Sequence, residues 1–107
     1  MMKKFDNLSE KAQSILLTLC SNFRSSFGVR AQFRCSVHYG LETFVKEVEE
    51  ALRELKENKC IKSFRISDQE TDEDTDMCYF NVNCDLNLSV EEMAEISSHS
   101  QTVFVAK

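Results

Sequence analysis

The clearest pattern in the chain is a strict alternation over 29–39. Val29, Ala31, Phe33, Cys35, Val37 and Tyr39 are apolar or cysteine, and Arg30, Gln32, Arg34, Ser36 and His38 lie between them. Successive side chains of a strand point to opposite faces, so this period of two predicts a long strand with one face in a core and the other in water. Helical periods flank it. Leu8, Ala12, Ile15, Leu16, Leu19 and Phe23 recur at helical spacing and predict a helix over 7–24, with Asn7 and Glu10 as a capping box and a break at Ser25, Ser26 and Gly28. After Gly40, the residues Leu41, Phe44, Val45, Val48, Ala51, Leu52 and Leu55 form a second apolar stripe, backed by Glu42, Lys46, Glu49 and Arg53.

The period of two then returns. Residues 60–67, carrying Phe64 and Ile66, predict a strand; Cys78, Phe80, Val82, Cys84 and Leu86, alternating with Tyr79, Asn81, Asn83 and Asp85, predict its partner. The polar stretch 68–76 between them is expected to be the loop of a hairpin. Ser89 and Glu92 form a second capping box, opening a short helix through Val90, Met93, Ala94 and Ile96, and 102–106 closes the chain as a last short strand.

In order these elements are a helix and then strand, helix, strand, strand, helix, strand over 29–106. That is the order of the ferredoxin-like split βαβ arrangement (βαββαβ): an α+β domain with an antiparallel sheet, here spanning 1–107 with an extra N-terminal helix. The rival is a winged helix, since 50–66 has the cadence of a recognition helix and wing. That fold needs a short helix just before Leu41, where the alternation over 29–39 stands instead. No motif is specific enough to name a family, and many unrelated functions share this element order.

Composition narrows the function mainly by exclusion. The chain has 107 residues with no Pro and only two Gly, so the closely spaced glycines of dinucleotide fingerprints, phosphate loops and nucleophile elbows cannot be written. With His38 and His99 the sole histidines, a paired-histidine zinc helix is excluded too. No segment approaches the roughly 20 apolar residues that span a bilayer, and residues 1–6 lack the apolar core of a secretory signal. A cytoplasmic protein that does not enter membranes is expected. Cys20, Cys35, Cys60, Cys78 and Cys84 are odd in number and form no CxxC pair, which predicts reduced, buried thiols and neither metal nor cofactor.

Charge carries the strongest functional signal. Residues 1–67 hold twelve Lys or Arg and eight Asp or Glu, net +4, whereas 68–107 hold one and ten, net −9. The excess is concentrated in the expected loop, where Asp68, Glu70, Asp72, Glu73, Asp74 and Asp76 make six of nine residues acidic. The spacing of Asp72, Asp74 and Asp76 imitates a calcium loop, but Met77 stands where that loop needs glycine and Asn83 where it needs glutamate. The remaining readings are a solubilising hairpin tip and a docking site for a partner with a basic surface.

A second candidate face is the polar side of the first strand, where Arg30, Arg34 and His38 are expected to join Arg65 and could touch phosphates. Nucleic acid is disfavoured by the net charge of −5 and because the strand positions at which RNA-binding sheets stack bases carry Gln32, Ser36, Asn81 and Asn83, with Tyr79 the one aromatic available. Catalysis finds no support, since the one close pair, Cys35 and His38, falls on opposite faces of a strand. The sequence therefore points to a small, acidic, non-enzymatic interaction protein, of inhibitor or immunity type, with a nucleic-acid-binding regulator as the alternative.

Overall fold

The computed structural model describes residues 6–21, 23–25 and 28–97. Among these residues three helices, α1 (Glu10–Ser21), α2 (Leu41–Glu57) and α3 (Val90–Ser97), accompany four strands, β1 (Phe23–Ser25), β2 (Gly28–Ser36), β3 (Ile61–Asp72) and β4 (Met77–Leu86). The fold class is α+β, with three long strands and a short edge strand in one antiparallel sheet of order β1-β2-β4-β3. Because β4 is antiparallel to both β2 and β3, those two run parallel, joined by α2, with β4 inserted between them. The closing strand expected over 102–106 lies outside the described residues.

The alternation of β2 survives folding: Val29, Ala31, Phe33 and Cys35 are buried, and Arg30, Gln32 and Arg34 are exposed. It stops earlier than the pattern suggests. Val37, His38 and Tyr39 form a turn in which the Tyr39 amide donates to the Ser36 carbonyl at 3.2 Å, and the half-buried Val37 and Tyr39 still pack on the core from that turn. A period of two cannot distinguish a strand's last residues from a turn that keeps feeding the core. At the other end, Gly28 has φ 132°, and a Cβ there would lie 2.7 Å from both Asp85 Oδ1 and the Cys84 carbonyl oxygen, so the close approach of β2 to β4 requires glycine.

Helix α1 is shorter at both ends than the stripe over 7–24. Its cap is Ser9, whose Oγ accepts from the Ala12 amide at 3.2 Å, in place of the expected Asn7. Glu54 on α2 selects it by accepting from both the Ser9 amide (2.7 Å) and Ser9 Oγ (2.8 Å). At the far end Phe23–Ser25 leaves the helix and pairs as β1, Phe23 opposite Val29 and Ser25 opposite Gly28. Sheet pairing competes there with a helical propensity too weak to hold the last turn. α1 packs against α2, α3 and β2, in the same layer as α2, and so among the described residues the other face of the sheet is left uncovered.

Helix α2 follows its stripe closely, with Phe44, Val48, Ala51, Leu52 and Leu55 buried and Leu41 and Val45 half-buried. It ends in a Schellman turn made without glycine: Lys59 takes φ 61°, its amide donates to the Lys56 carbonyl at 3.0 Å, and the Cys60 amide donates to the Leu55 carbonyl at 2.9 Å. The capping box of α3 is reciprocal, Ser89 N to Glu92 Oε1 at 3.0 Å and Glu92 N to Ser89 Oγ at 3.1 Å. Its buried side is narrower than expected: Met93 and Ile96 are covered, but Ala94 is exposed and Val90 is 75% exposed.

The core lies between helices and sheet around an aromatic cluster. Phe33 and Phe80 are register partners on β2 and β4 and stack at 5.6 Å, while Phe44 meets them edge-on at 6.4 and 5.3 Å and Tyr39 meets Phe44 at 5.8 Å. The winged-helix alternative has no place in this arrangement, since strand and turn occupy the residues before Leu41.

Candidate interaction site

The acidic stretch is largely strand. β3 continues through Asp68, Glu70 and Asp72, and only Glu73, Asp74, Thr75 and Asp76 form the turn to β4, which corrects the expected loop over 68–76. The physical cause is a bulge between Ser67 and Glu70, where Asp68 at φ 56° inserts one extra residue and lets pairing resume with Glu70 opposite Tyr79 and Asp72 opposite Met77. Strand propensity is low for Asp and Glu, so local sequence could not reveal this extension; long-range pairing with β4 imposes it. The tip itself is ordered by an Asx turn, the Asp74 amide donating to Asp72 Oδ1 at 3.0 Å, and by Asp76, whose carbonyl accepts from the Val37 amide at 3.0 Å.

The register brings together residues that the sequence places in two separate candidate sites. On the uncovered face, Arg30 pairs with Asn83 and Asn83 with Arg65, while Arg34 pairs with Tyr79 and Tyr79 with Glu70. His38 does not join them, being in the turn beyond β2. Asp68 turns onto this face, where its Oδ2 accepts from Asn81 Nδ2 at 2.9 Å and from Arg30 Nη2 at 3.0 Å. The Asn81 amide first, and the Arg30 charge with it, hold the Asp68 carboxyl below its ordinary range. Asn83 Nδ2 donates to Ser67 Oγ at 3.0 Å, extending the polar network across β4. Asn81 and Asn83 are the residues sequence reasoning underrates: their alternation is visible, but the strands they face depend on register.

Electrostatically this divides the acidic set. Asp68 is neutralised within the sheet, whereas Glu70, Glu73, Asp74 and Asp76 are exposed and Asp72 half-buried, with no ion pair to any of the five among the described residues. The arginine face is correspondingly weakened as a phosphate site, since Arg30 is engaged by Asp68 and Glu70 lies across Tyr79 from Arg34. Asp72, Asp74 and Asp76 do not form a cation cage: among the described residues no group of three His, Cys, Asp or Glu is disposed to hold a metal ion.

All five cysteines are buried with free thiols. Burial pushes the Cys20 and Cys84 thiols up to about 12 and Cys35 to about 11, helped by Cys60 beside Cys20, Asp85 and then Cys20 beside Cys84, and Cys78 beside Cys35. Cys35 is fully buried while His38 is exposed, so the pair is not a nucleophile and base. Among the described residues no helix is long and apolar enough to cross a membrane. Comparisons with protein-family models, curated proteins and solved structures find no match.

Proposed function

We propose that this chain is a small cytoplasmic interaction module, of inhibitor or immunity type and without catalytic activity, that docks the acidic end of its β3–β4 hairpin on the basic surface of a partner protein. The observation that supports this most is the division of the acidic set: one carboxylate is consumed by the sheet, and five are left at one end of the molecule without a cation among the described residues. Carboxylates crowded at one end repel one another, and a cationic surface relieves that repulsion while steering encounter. The same reading takes the domain as ferredoxin-like, since β2, α2, β3, β4 and α3 follow one another in that order with β4 between β2 and β3.

The test is capture of partners from the native host by tagged protein, compared with the variant Asp72→Asn, Glu73→Gln, Asp74→Asn. The Asp72→Asn change keeps a side-chain oxygen to accept from the amide of residue 74, so the turn is preserved while three charges are removed. The wild type is expected to retain a basic protein at low salt that the variant loses and that high salt elutes. Equal capture by both would refute the reading. Retention of the protein on heparin would instead support the arginine face and a nucleic-acid role.

A further inference from the structure

Among the described residues the β3 strand ends the sheet, and nothing pairs with its outer edge. Twelve residues is a long edge to leave open, and natural sheets usually cover, shorten or charge such a strand. Here the charge is arranged by sign, with Lys62 and Arg65 in the first half and Asp68, Glu70 and Asp72 in the second. We infer that β3 pairs antiparallel with β3 of a second copy of this chain, about a two-fold axis between Ser67 and Asp68, setting Arg65 of each copy opposite Glu70 of the other.

The bulge is what makes this register consistent. Ser63, Arg65 and Ser67 pair with Asp85, Asn83 and Asn81 on the uncovered face, and beyond the bulge Glu70 and Asp72 pair with Tyr79 and Met77 on that same face. In an unbulged strand, odd and even positions would lie on opposite sides. With the axis between residues 67 and 68, odd positions of one copy always meet even positions of the other, so an unbulged strand would set each face against its opposite. The phase change at Asp68 matches them: Arg65 meets Glu70 and Ser63 meets Asp72 on the uncovered side, and Phe64 meets Thr71 on the helix side. Phe64 and Ile66, half-buried at this edge, gain cover from the second copy.

The axis itself would bring two Asp68 residues close. Within each copy Arg30 already neutralises that carboxylate at 3.0 Å, so no unpaired like charges meet at the centre. The interface is isologous and of modest area, giving a dimer that forms and dissociates with concentration. It goes beyond the docking proposed above and leaves the tip residues Asp74 and Asp76 outside the paired strands.

Sedimentation equilibrium of the full chain between about 5 μM and about 1 mM tests it, and the wild type is expected to shift from monomer to dimer across that range. Each charge reversal, Arg65→Glu or Glu70→Arg, turns two symmetric attractions into repulsions and should weaken association about tenfold or more. Both sites are exposed, so circular dichroism should show both variants folded. An equimolar mixture of the two variants should recover wild-type association as a heterodimer, whereas Asp74→Asn with Asp76→Asn should leave dimerisation unchanged, separating this inference from the docking function. A wild type that stays monomeric at about 1 mM, including one in which another part of the chain protects the β3 edge amides from exchange, overturns it. So does a mixture that associates no better than either variant alone.

Discussion

Phe33 is the side chain through which sheet and helices meet, and replacing it with alanine tests the fold most directly. Its ring is 4% exposed, stacks on Phe80 at 5.6 Å and receives the edge of Phe44 at 6.4 Å. Truncation therefore removes the transfer energy of a phenyl group and two aromatic contacts, and leaves a cavity whose walls belong to three different elements. Phe→Ala at buried sites costs about 3 to 5 kcal/mol, and the paired aromatic geometry adds roughly 0.5 to 1.5 kcal/mol per pair beyond area, so the upper part of the range is expected. That is a large share of the roughly 5 to 15 kcal/mol available to a domain of this size, and should lower Tm by on the order of 20 °C. Gln32, one residue away on the uncovered face, is exposed, and Gln32→Ala should cost less than about 0.5 kcal/mol. Urea titration of the two variants under identical conditions, fitted with a common slope, measures both. Equal losses, or a larger one at Gln32, would mean that the alternation of β2 does not separate core from solvent.

Three further substitutions probe local geometry. Gly28→Ala should destabilise by about 1 to 3 kcal/mol in the same titration, because the new Cβ meets Asp85 and the Cys84 carbonyl at 2.7 Å with φ at 132°. Lys59→Gly should stabilise the protein by roughly 0.5 kcal/mol, since the Schellman turn holds Lys59 at φ 61° and glycine relieves the left-handed strain at some entropic cost. The pH dependence should centre on Tyr39, which donates to Glu47 and thereby raises its own pKa and lowers that of Glu47, with Lys11 at 3.0 Å reinforcing the second shift. A raised tyrosine contributes stability below its unfolded pKa of about 10 that is lost as pH climbs through the folded value, and a depressed glutamate contributes stability above about 4.3 that is lost as pH falls. Tyr39→Phe should accordingly flatten the stability profile at both extremes, and thermal melts from acid to alkaline pH that keep the wild-type shape would refute the pairing.

The elements that could be read from the chain are those whose signal repeats. The stripe of α2 and the alternation of β2 each sample their period over several turns or residues, and burial follows both closely. The Ser89–Glu92 box was equally legible because both its bonds join residues three apart. What tertiary structure alone decided came from partners distant in sequence. Glu54, on α2, chose Ser9 over Asn7 as the cap of α1; β2 drew Phe23–Ser25 out of the helical pattern; and β4 extended β3 through a run of acidic residues with little strand propensity of their own. The candidate site shows the same division. Composition marks the six carboxylates, but only register can tell that Asp68 belongs to Arg30 and Asn81 while the others remain at the hairpin end, because side chains separated by 38 and 13 residues meet through strand pairing and a bulge, neither of which has a local code.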